Sequence, residues 1–537
     1  MSLPDVNPLY VLVAVTFLVA THLVYKLVLY PRYFSPLRHI PGPPLGDPFL
    51  GQGPAILATE AGILQRQWVH TYGPVVRAVG PLGIERVMFT SPEAMRKILV
   101  EEWLNFPRPA FLRKVLGIVT GYGLLTVTGD EHRLMRKTMN PAFSIQHLQA
   151  QVETYNEPID ILIELLKARI SMSQDEKGAG TVLPMYEWMS KVTLDIICGS
   201  AFGYRTDSLR NPHNPLAEAY EELLSMQTGY NLARFIAFVN IPFFSAYVLS
   251  PFGYATRNIW QYLPRTGLLT QLISCMHRIK NISAQILRER IADAMVDAED
   301  VKAKKDIMSL LIRARMAESE KDPGAYKMND AQMMDQVLTF LGAGHETTAS
   351  GLAWTLWLLA ANPQAQTKLR AELASTLEPE TRPDYRTLTK NLPYLDAVVQ
   401  ESLRILPPVP MTFRKSKAAH TIDGVLIPKD TLFYIPIRVY NTWTELWGPD
   451  AESFRPERWL ETQQRPLPQT MSFIQGPHAC IGKTMSIVEM KAVLCALLAN
   501  FEFETAFEGQ TIHPTAAVTM KPADNMPLRI KFRPIHA

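Results

Sequence analysis

An excess of charge of either sign is missing from this chain. Across 537 residues, 54 lysines and arginines face 51 aspartates and glutamates, a formal net charge of +3. Nucleic-acid binding ordinarily shows a basic excess or stripe, so the charge balance argues against it. Cysteine is scarce: Cys198, Cys275, Cys480 and Cys495 are four thiols at wide spacings. That excludes a disulfide framework and a paired zinc spacing, and it suits a reducing compartment. Also absent are a Gly-rich dinucleotide fingerprint, an iron–sulfur cysteine cluster, internal repeats and like-charge blocks. What is present is a composition 47% hydrophobic and 20% charged, which buries a large core and excludes global disorder.

One long apolar run stands at the N-terminus. Residues 9–29 (LYVLVAVTFLVATHLVYKLVL) carry only His22 and Lys26 as strongly polar groups. A helix of about 20 residues crosses a hydrocarbon core of about 30 Å, and Lys26, near its end, can snorkel to the interface. A cleaved signal peptide would want a basic leader and a small-residue cleavage site; here Asp5 precedes the run and YPRYFSPLRH follows. A buried core helix is the third reading. The expectation is an uncleaved anchor over 1–30. Lys26, Arg32 and Arg38 on its far side put the remainder in the cytosol by the positive-inside rule. His39-Ile40-Pro41-Gly42-Pro43-Pro44 then reads as a stiff non-helical connector, giving a proline-rich hinge over 31–54 and one domain over 55–537.

Helical periods dominate from 140 to 405, with β-like runs at 75–89 and 421–437 and prolines concentrated after Ile405. Polar stretches at 171–180 and 317–327 read as surface loops. The fold class is mainly α with a minor β component, a single large domain behind one transmembrane helix.

Three of the cysteines sit inside helical patterns and read as core. Cys480 does not. In Phe473-Ile474-Gln475-Gly476-Pro477-His478-Ala479-Cys480-Ile481-Gly482, glycine and proline build a tight loop and an apolar helix follows. A cysteine at a helix N-terminus has its thiolate favoured by the dipole and free N–H groups, and such a thiolate attacks a substrate or ligates a metal.

The run from Gln332 to Ala361 is apolar enough for a buried helix of about 45 Å. Its middle, Gly342-Ala343-Gly344-His345-Glu346-Thr347-Thr348, places two glycines, a carboxylate and two β-branched hydroxyls where helix rules disfavour them, and a local failure of that kind points to function. Glu401 and Arg404, three apart on an apolar helix ending at Pro407-Pro408, form a pair that needs further partners if buried.

These stretches together resemble the cytochrome P-450 superfamily. Phe473, Gly476, Cys480 and Gly482 match its F-x-x-G-x-x-x-C-x-G loop; Ala343, Gly344, Glu346, Thr347 and Thr348 match A-G-x-[DE]-T-T. Phe454, Pro456, Glu457, Arg458 and Trp459 match F-x-P-E-R-[FW], and Asn140-Pro141-Ala142-Phe143-Ser144 follows an Arg136 at the position of W-x-x-x-R. His132 stands where that motif has Trp, and His478 where the loop usually has Arg. The resemblance implies haem b with Cys480 as axial thiolate. It further implies a proton relay of Glu346 and Thr347, a structural triad of Glu401, Arg404 and Arg458, and propionate contacts from His132, Arg136, Arg414 and His478. His345 fills a variable position and is given no role.

The function so implied is a monooxygenase on the endoplasmic reticulum membrane, facing the cytosol. Its electrons would come from NADPH through a cytochrome P-450 reductase, with cytochrome b5 as a second donor. Lys137, Lys483 and Lys491 are candidates for the docking face. Pocket segments are expected at 111–125, 235–254, 338–343 and 409–413, uncharged enough for a lipophilic substrate. Overall texture resembles filamentous-fungal, especially basidiomycete, members, many of which oxidise terpenoids or other secondary metabolites. The alternatives are a fatty-acid or xenobiotic hydroxylase and a P-450-like isomerase or dehydratase, which often lacks the relay pair. The sequon at Asn281 stays unmodified if the domain is cytosolic.

Overall fold

The computed structural model describes residues 7–533 except 173–179, 212, 227–228, 265, 297–305, 313–327, 379–380, 462–466 and 516–517. The polar stretch expected at 317–327 lies outside the described residues, as does most of that at 171–180.

The N-terminal run folds as the helix Pro8–Val24. Asn7 caps it by accepting from Leu9 N at 3.0 Å, and none of its side chains is buried. Helical turns continue through Tyr25–Phe34, past Pro31, so the proline-rich connector begins later than residue 31. The wider π-type turns of that segment accommodate a proline that lacks an N–H. Pro8–Phe34 is the one helix among the described residues long and apolar enough to cross a membrane. Its inner end is fastened to the domain. Arg77 donates to Pro31 O and pairs with Glu85 at 2.6 Å, and Ser35 Oγ donates to the same carboxylate at 2.7 and 2.8 Å.

The strand-like run at 75–89 becomes a hairpin of β1 (Val75–Val79) and β2 (Glu85–Phe89), in antiparallel register Val76 to Met88. The remaining strands are β3 (Thr181–Pro184), β4 (Thr412–Lys415), β5 (His420–Ile422), β6 (Val425–Ile427), β7 (Leu432–Ile435), β8 (Phe501–Thr505) and β9 (Pro527–Phe532). They form a four-stranded sheet in the order β1-β2-β7-β4, a three-stranded β3-β9-β8 sheet, and the β5-β6 hairpin. Helices supply most of the rest.

The helix Asp330–Ala361 runs through the middle. It starts at a capping box in which Asn329 Oδ1 accepts from Gln332 N at 2.8 Å and Gln332 Oε1 accepts from Asn329 N at 3.0 Å. Its first half, with Met333, Val337 and Leu341, packs in one core with Val115, Phe202, Tyr220 and Ile273. Its second half, with Leu352, Trp354 and Leu359, packs in another with Leu162, Leu395 and Leu494. The two glycines of its unusual middle are explained by close approach: a Cβ on Gly342 would lie 2.9 Å from Thr120 Cγ2, and one on Gly344 2.9 Å from Ile197 Cγ1. Cys198, Cys275 and Cys495 are buried core residues.

Candidate functional site

Cys480 lies on a loop whose shape is forced by its sequence. Gly476 has φ +75°, and a Cβ there would sit 2.1 Å from Leu99 O; only glycine satisfies both conditions. Gly476–His478 makes one short helical turn, Ala479 N donates to Gly476 O at 2.9 Å, and Cys480 N closes back on Phe473 O at 2.9 Å. Gly482 then caps the helix Lys483–Asn500. The Phe473 ring is partly buried against the core, with Lys483 Nζ 5.7 Å above it. The Cys480 side chain is accessible, unlike the other three thiols. Burial pushes its thiol up, while the Gly482 N–H and the Arg136 and Lys483 charges act in the opposite direction.

Beside this loop stands a cluster of cations. The helix Gly129–Met139 presents His132 and Arg136, β4 carries Arg414, and Arg108 reaches in between Pro107 and Pro109. Arg136 Nη1 donates to Ala479 O, next to the cysteine, and Arg108 Nη1 contacts His478 Nδ1 at 2.9 Å. The His132 and His478 rings lie 3.9 Å apart, and Trp103 stands edge-on to His478 at 5.2 Å. Arg414 is 2% exposed, and its Nη1 donates to Phe413 O at 2.8 Å. Among the described residues no carboxylate pairs with Arg108, Arg136 or Arg414, and His132 Nδ1 has no partner. For Arg108, Arg414 and His132, burial and then neighbouring cations (Arg113 beside Arg108, Arg108 beside Arg414 and His132) all act downward. Arg108 is lowered to about 10, Arg414 well below its ordinary value, and His132 to about 4. Unpaired buried cations are costly unless an anion joins them. Three guanidiniums around one loop fit a ligand bearing carboxylates.

On the central helix, Thr347 Oγ1 donates to Ala343 O at 2.7 Å and Thr348 Oγ1 to Gly344 O at 2.8 Å, each turned against its own helix. Glu346 is buried and accepts from Thr519 Oγ1. Its pKa rises to about 7 because burial outweighs the Thr519 bond and the Lys521 charge. The tripeptide 519–521 is laced to successive turns of the helix, with Ser350 Oγ and Trp354 Nε1 both donating to Met520 O at 2.7 Å. His345 is buried against Tyr220, its Nδ1 2.9 Å from Leu341 O, a packing role.

Glu401, Arg404 and Arg458 meet in the interior. Arg404 binds Glu401 through Nε and Nη2, both at 2.8 Å, and Arg458 Nε reaches Glu401 Oε1 at 2.9 Å. Trp459 Nε1 at 2.9 Å and Arg455 N at 3.0 Å complete five donors on one carboxylate. The triad also grips the cysteine loop's approach. Arg404 Nη1 donates to Asn441 O, Asn441 Oδ1 accepts from Met471 N, and Ser472 Oγ donates to Leu403 O, all at 2.8 Å.

Two expectations need correction, and several residues went unseen. Lys491 is not on a docking face: it is 2% exposed, paired with Asp396 and bonded to Leu388 O, whereas Lys137 and Lys483 are exposed. The aromatic stretch at 235–254 splits, with Phe235 and Phe244 buried but Phe243 and Phe252 turned outward. Of the other pocket segments, Phe111 and Phe413 meet at 5.5 Å between ring centroids, and Thr339 Oγ1 bonds Thr120 O at 2.8 Å. Sequence reading missed Arg108, Trp103, Asn441 and Thr519. Only the first had a signal, an arginine held rigid between two prolines.

Comparison with known proteins agrees with this construction. The family model described as Cytochrome P-450 matches residues 41–528. A cytochrome P-450 monooxygenase of Postia placenta is 34% identical over 512 residues, covering 91% of this chain and 90% of the relative. One from Aspergillus fumigatus is 28% identical over 97% of this chain and 93% of its own length. Another, from Ampulloclitocybe clavipes, is 30% identical over 88% and 89%. Membership implies a haem-thiolate cofactor, an external redox partner and a lipophilic substrate. A family model spanning nearly the whole chain, relatives of matching length and a fold of central helix, buried triad and cysteine loop lead to one conclusion: the chain belongs to the cytochrome P-450 family and is an oxidoreductase of its monooxygenase class.

Proposed function

We propose that the chain is a single-pass membrane monooxygenase. It would hydroxylate or epoxidise a terpenoid or other lipophilic fungal secondary metabolite, with electrons from NADPH through a membrane-bound flavoprotein reductase. The observation that carries the site assignment is the group of Arg108, Arg136 and Arg414 around the Cys480 loop, with which no carboxylate pairs among the described residues. Haem b bound there supplies what side chains lack, activation of dioxygen for insertion into an unreactive C–H or C=C bond. Cys480 Sγ would hold the haem iron as a thiolate, favoured by Gly482 N–H, Arg136 and Lys483 against the cost of burial. The three guanidiniums would hold the haem carboxylates, with His132 and His478 packed among them. Glu346, poised at about 7, takes up and releases protons near neutrality, and the Thr347 hydroxyl is the donor one residue on. Glu401, Arg404 and Arg458 keep the cysteine loop in place through Asn441.

The apolar helix Pro8–Phe34 supports the anchor, and the outward-facing Ile241, Phe243, Phe252 and Tyr262 give a second apolar surface for lipid. The basic flank supports a cytosolic domain on the endoplasmic reticulum. Asn281 lies on the helix Gly267–Val296 with Ser283 fully buried, a poor acceptor in the folded chain.

The test is the reduced, carbon-monoxide difference spectrum of the protein beside a Cys480→Ser variant. A strongly red-shifted Soret band in the parent alone is expected, and the same band in the variant would refute the ligand assignment. With a reductase and a product-forming substrate, Thr347→Ala should consume NADPH without matching product. An isomerase would be indifferent to that change.

A further inference from the structure

We propose that Arg86 is a recognition site for the acid group of the substrate, which makes that substrate a lipophilic carboxylic acid. The proposal deepens the monooxygenase reading given above and rests on it.

Arg86 stands on β2. The register pairs it with Ala78, and pairs Met88, two residues on, with Val76 and Tyr434, which in turn pairs with Phe413. Side chains alternate along a strand, so all of these share one face of the sheet. The guanidinium borders a small cavity whose other walls are Ile56, Trp68, Val76, Ala78, Met88 and Tyr434. The Phe413 ring lies 5.5 Å from its carbon. The Tyr434 hydroxyl is committed elsewhere, donating to the Met411 sulfur at 2.6 Å. Gly80 makes the space: a Cβ there would lie 2.9 Å from Cζ, Nε and Nη2 of Arg86.

Among the described residues no carboxylate pairs with Arg86, and its buried Nε has no partner. A guanidinium keeps its charge and brings five donors, so one left unpaired among apolar walls is costly unless an anion joins it. Arg404, Arg438 and Arg458 each meet an acid in the interior. Glu85, next to Arg86 in sequence, points to the opposite face and is held by Arg77 and Ser35. Nor does Arg86 belong to the cations beside Cys480. Successive residues of β4 face opposite ways, Phe413 toward Arg86 and Arg414 away from it.

The surroundings fit an occupant that is apolar except at one anionic end. A carboxylate takes the paired N–H groups of a guanidinium in a two-bond arrangement. Phe413 meets Phe111 at 5.5 Å, in the first turn of the helix Ala110–Thr120. The last residue of that helix closes on Gly342, four positions before Glu346. Hydrocarbon laid along its 11 residues spans about 16 Å, from the acid site toward the proton-relay residues. On the other side, the β1–β2 turn touches the end of the N-terminal helix, where a Cβ on Gly83 would lie 2.7 Å from Lys26 O. Phe49, Leu82 and Ile84 around that turn are exposed. An amphiphilic acid leaving a bilayer meets this face first.

The experiment measures binding to the full-length protein in a nonionic detergent by calorimetry, with palmitate and abietate beside their methyl esters. The parent should bind each acid at least about tenfold more tightly than its ester. Arg86→Gln should bring acid and ester within about threefold of each other, and Arg86→Lys should keep part of the preference. Gly80→Ala presses a Cβ on the guanidinium and should cut the preference at least about threefold with the charge still present. That second variant decides the matter if Arg86→Gln does not fold. The ferric Soret band, followed in the same titrations, should respond to the acids at the concentrations found by calorimetry. Dioleoyl phosphatidate should displace palmitate only at roughly tenfold excess or more.

Equal affinity of the parent for acid and ester would overturn the proposal, and so would an undiminished acid preference in Arg86→Gln or in Gly80→Ala. Acid binding that leaves the Soret band unmoved would separate the site from the substrate, and displacement by phosphatidate at equal concentration would assign it to a lipid headgroup. Either result overturns the substrate assignment. A parent without the thiolate-type carbon-monoxide band would overturn the monooxygenase reading instead, while the calorimetric preference still decides whether Arg86 holds the acid.

Discussion

Replacing Glu346 by Gln should stabilise the fold in a pH-dependent way while impairing catalysis. The carboxyl is 7% exposed, and its pKa stands at about 7 against an ordinary 4.5. At about 1.36 kcal/mol per pH unit, the ionised form therefore costs the folded state about 3 kcal/mol. The sign follows from proton binding. For an acid whose folded pKa is raised, stability is fully present below about 4.5, where both states hold the proton, and declines as pH climbs through about 7. Glutamine mimics the protonated form at every pH and can still accept from Thr519 Oγ1. The variant's advantage should be about 1.4 kcal/mol at pH 5.5 and about 3 kcal/mol at pH 8. With an unfolding entropy of about 2.1 cal/mol/K per residue, a chain of 537 residues gains roughly 1 °C for each 1.1 kcal/mol. The assay is the temperature at which the thiolate-haem spectrum is lost, at one scan rate, in parent and variant. A gap of about 1 °C at pH 5.5 widening to about 3 °C at pH 8 is expected. A gap that is constant with pH, or that narrows as pH rises, would refute the claim that Glu346 titrates high because it is buried.

Two further changes test the scaffold beneath the cysteine. Glu401→Gln leaves the side-chain donors of Arg404, Arg458 and Trp459 facing an amide where a carboxylate stood; breaking a buried ion pair costs about 3–5 kcal/mol. The thermal midpoint should fall by several degrees, and apparent wild-type stability would remove the triad from its structural role. Gly476→Ala places a Cβ 2.1 Å from Leu99 O at a φ of +75°. The loop must then move, and the expected result is haem without the thiolate-type carbon-monoxide band. A normal band would show that the loop is not held by that contact.

What the sequence made legible is local, and what it concealed is pairing across distance. The β-like run at 75–89 and the tight loop at Gly476 depend on neighbours a few positions away, so their chemistry appears in any short window. The motifs also located Cys480, Glu346 and the Glu401–Arg404 pair, because each breaks the local rules of its own element. Thr519 bonds Glu346 from 173 positions away, and Asn441 joins the triad to Met471 through two hydrogen bonds that no period encodes. Lys491 misled for the same reason. A lysine reads as surface until the fold supplies Asp396 and the Leu388 carbonyl.

The N-terminal helix runs past residue 30 because Pro31 sits in wider turns that are tied to Arg77, itself paired with Glu85. The cationic cluster shows why the two kinds of information differ. Arg108, Arg136 and Arg414 come from a loop, a helix and a strand, and each alone is an ordinary surface residue in sequence. Among the described residues no carboxylate joins them beside Cys480, which is unfavourable for the chain on its own. A fold keeps such an arrangement when a ligand supplies the missing negative charge, so this group of cations narrows what the protein must bind.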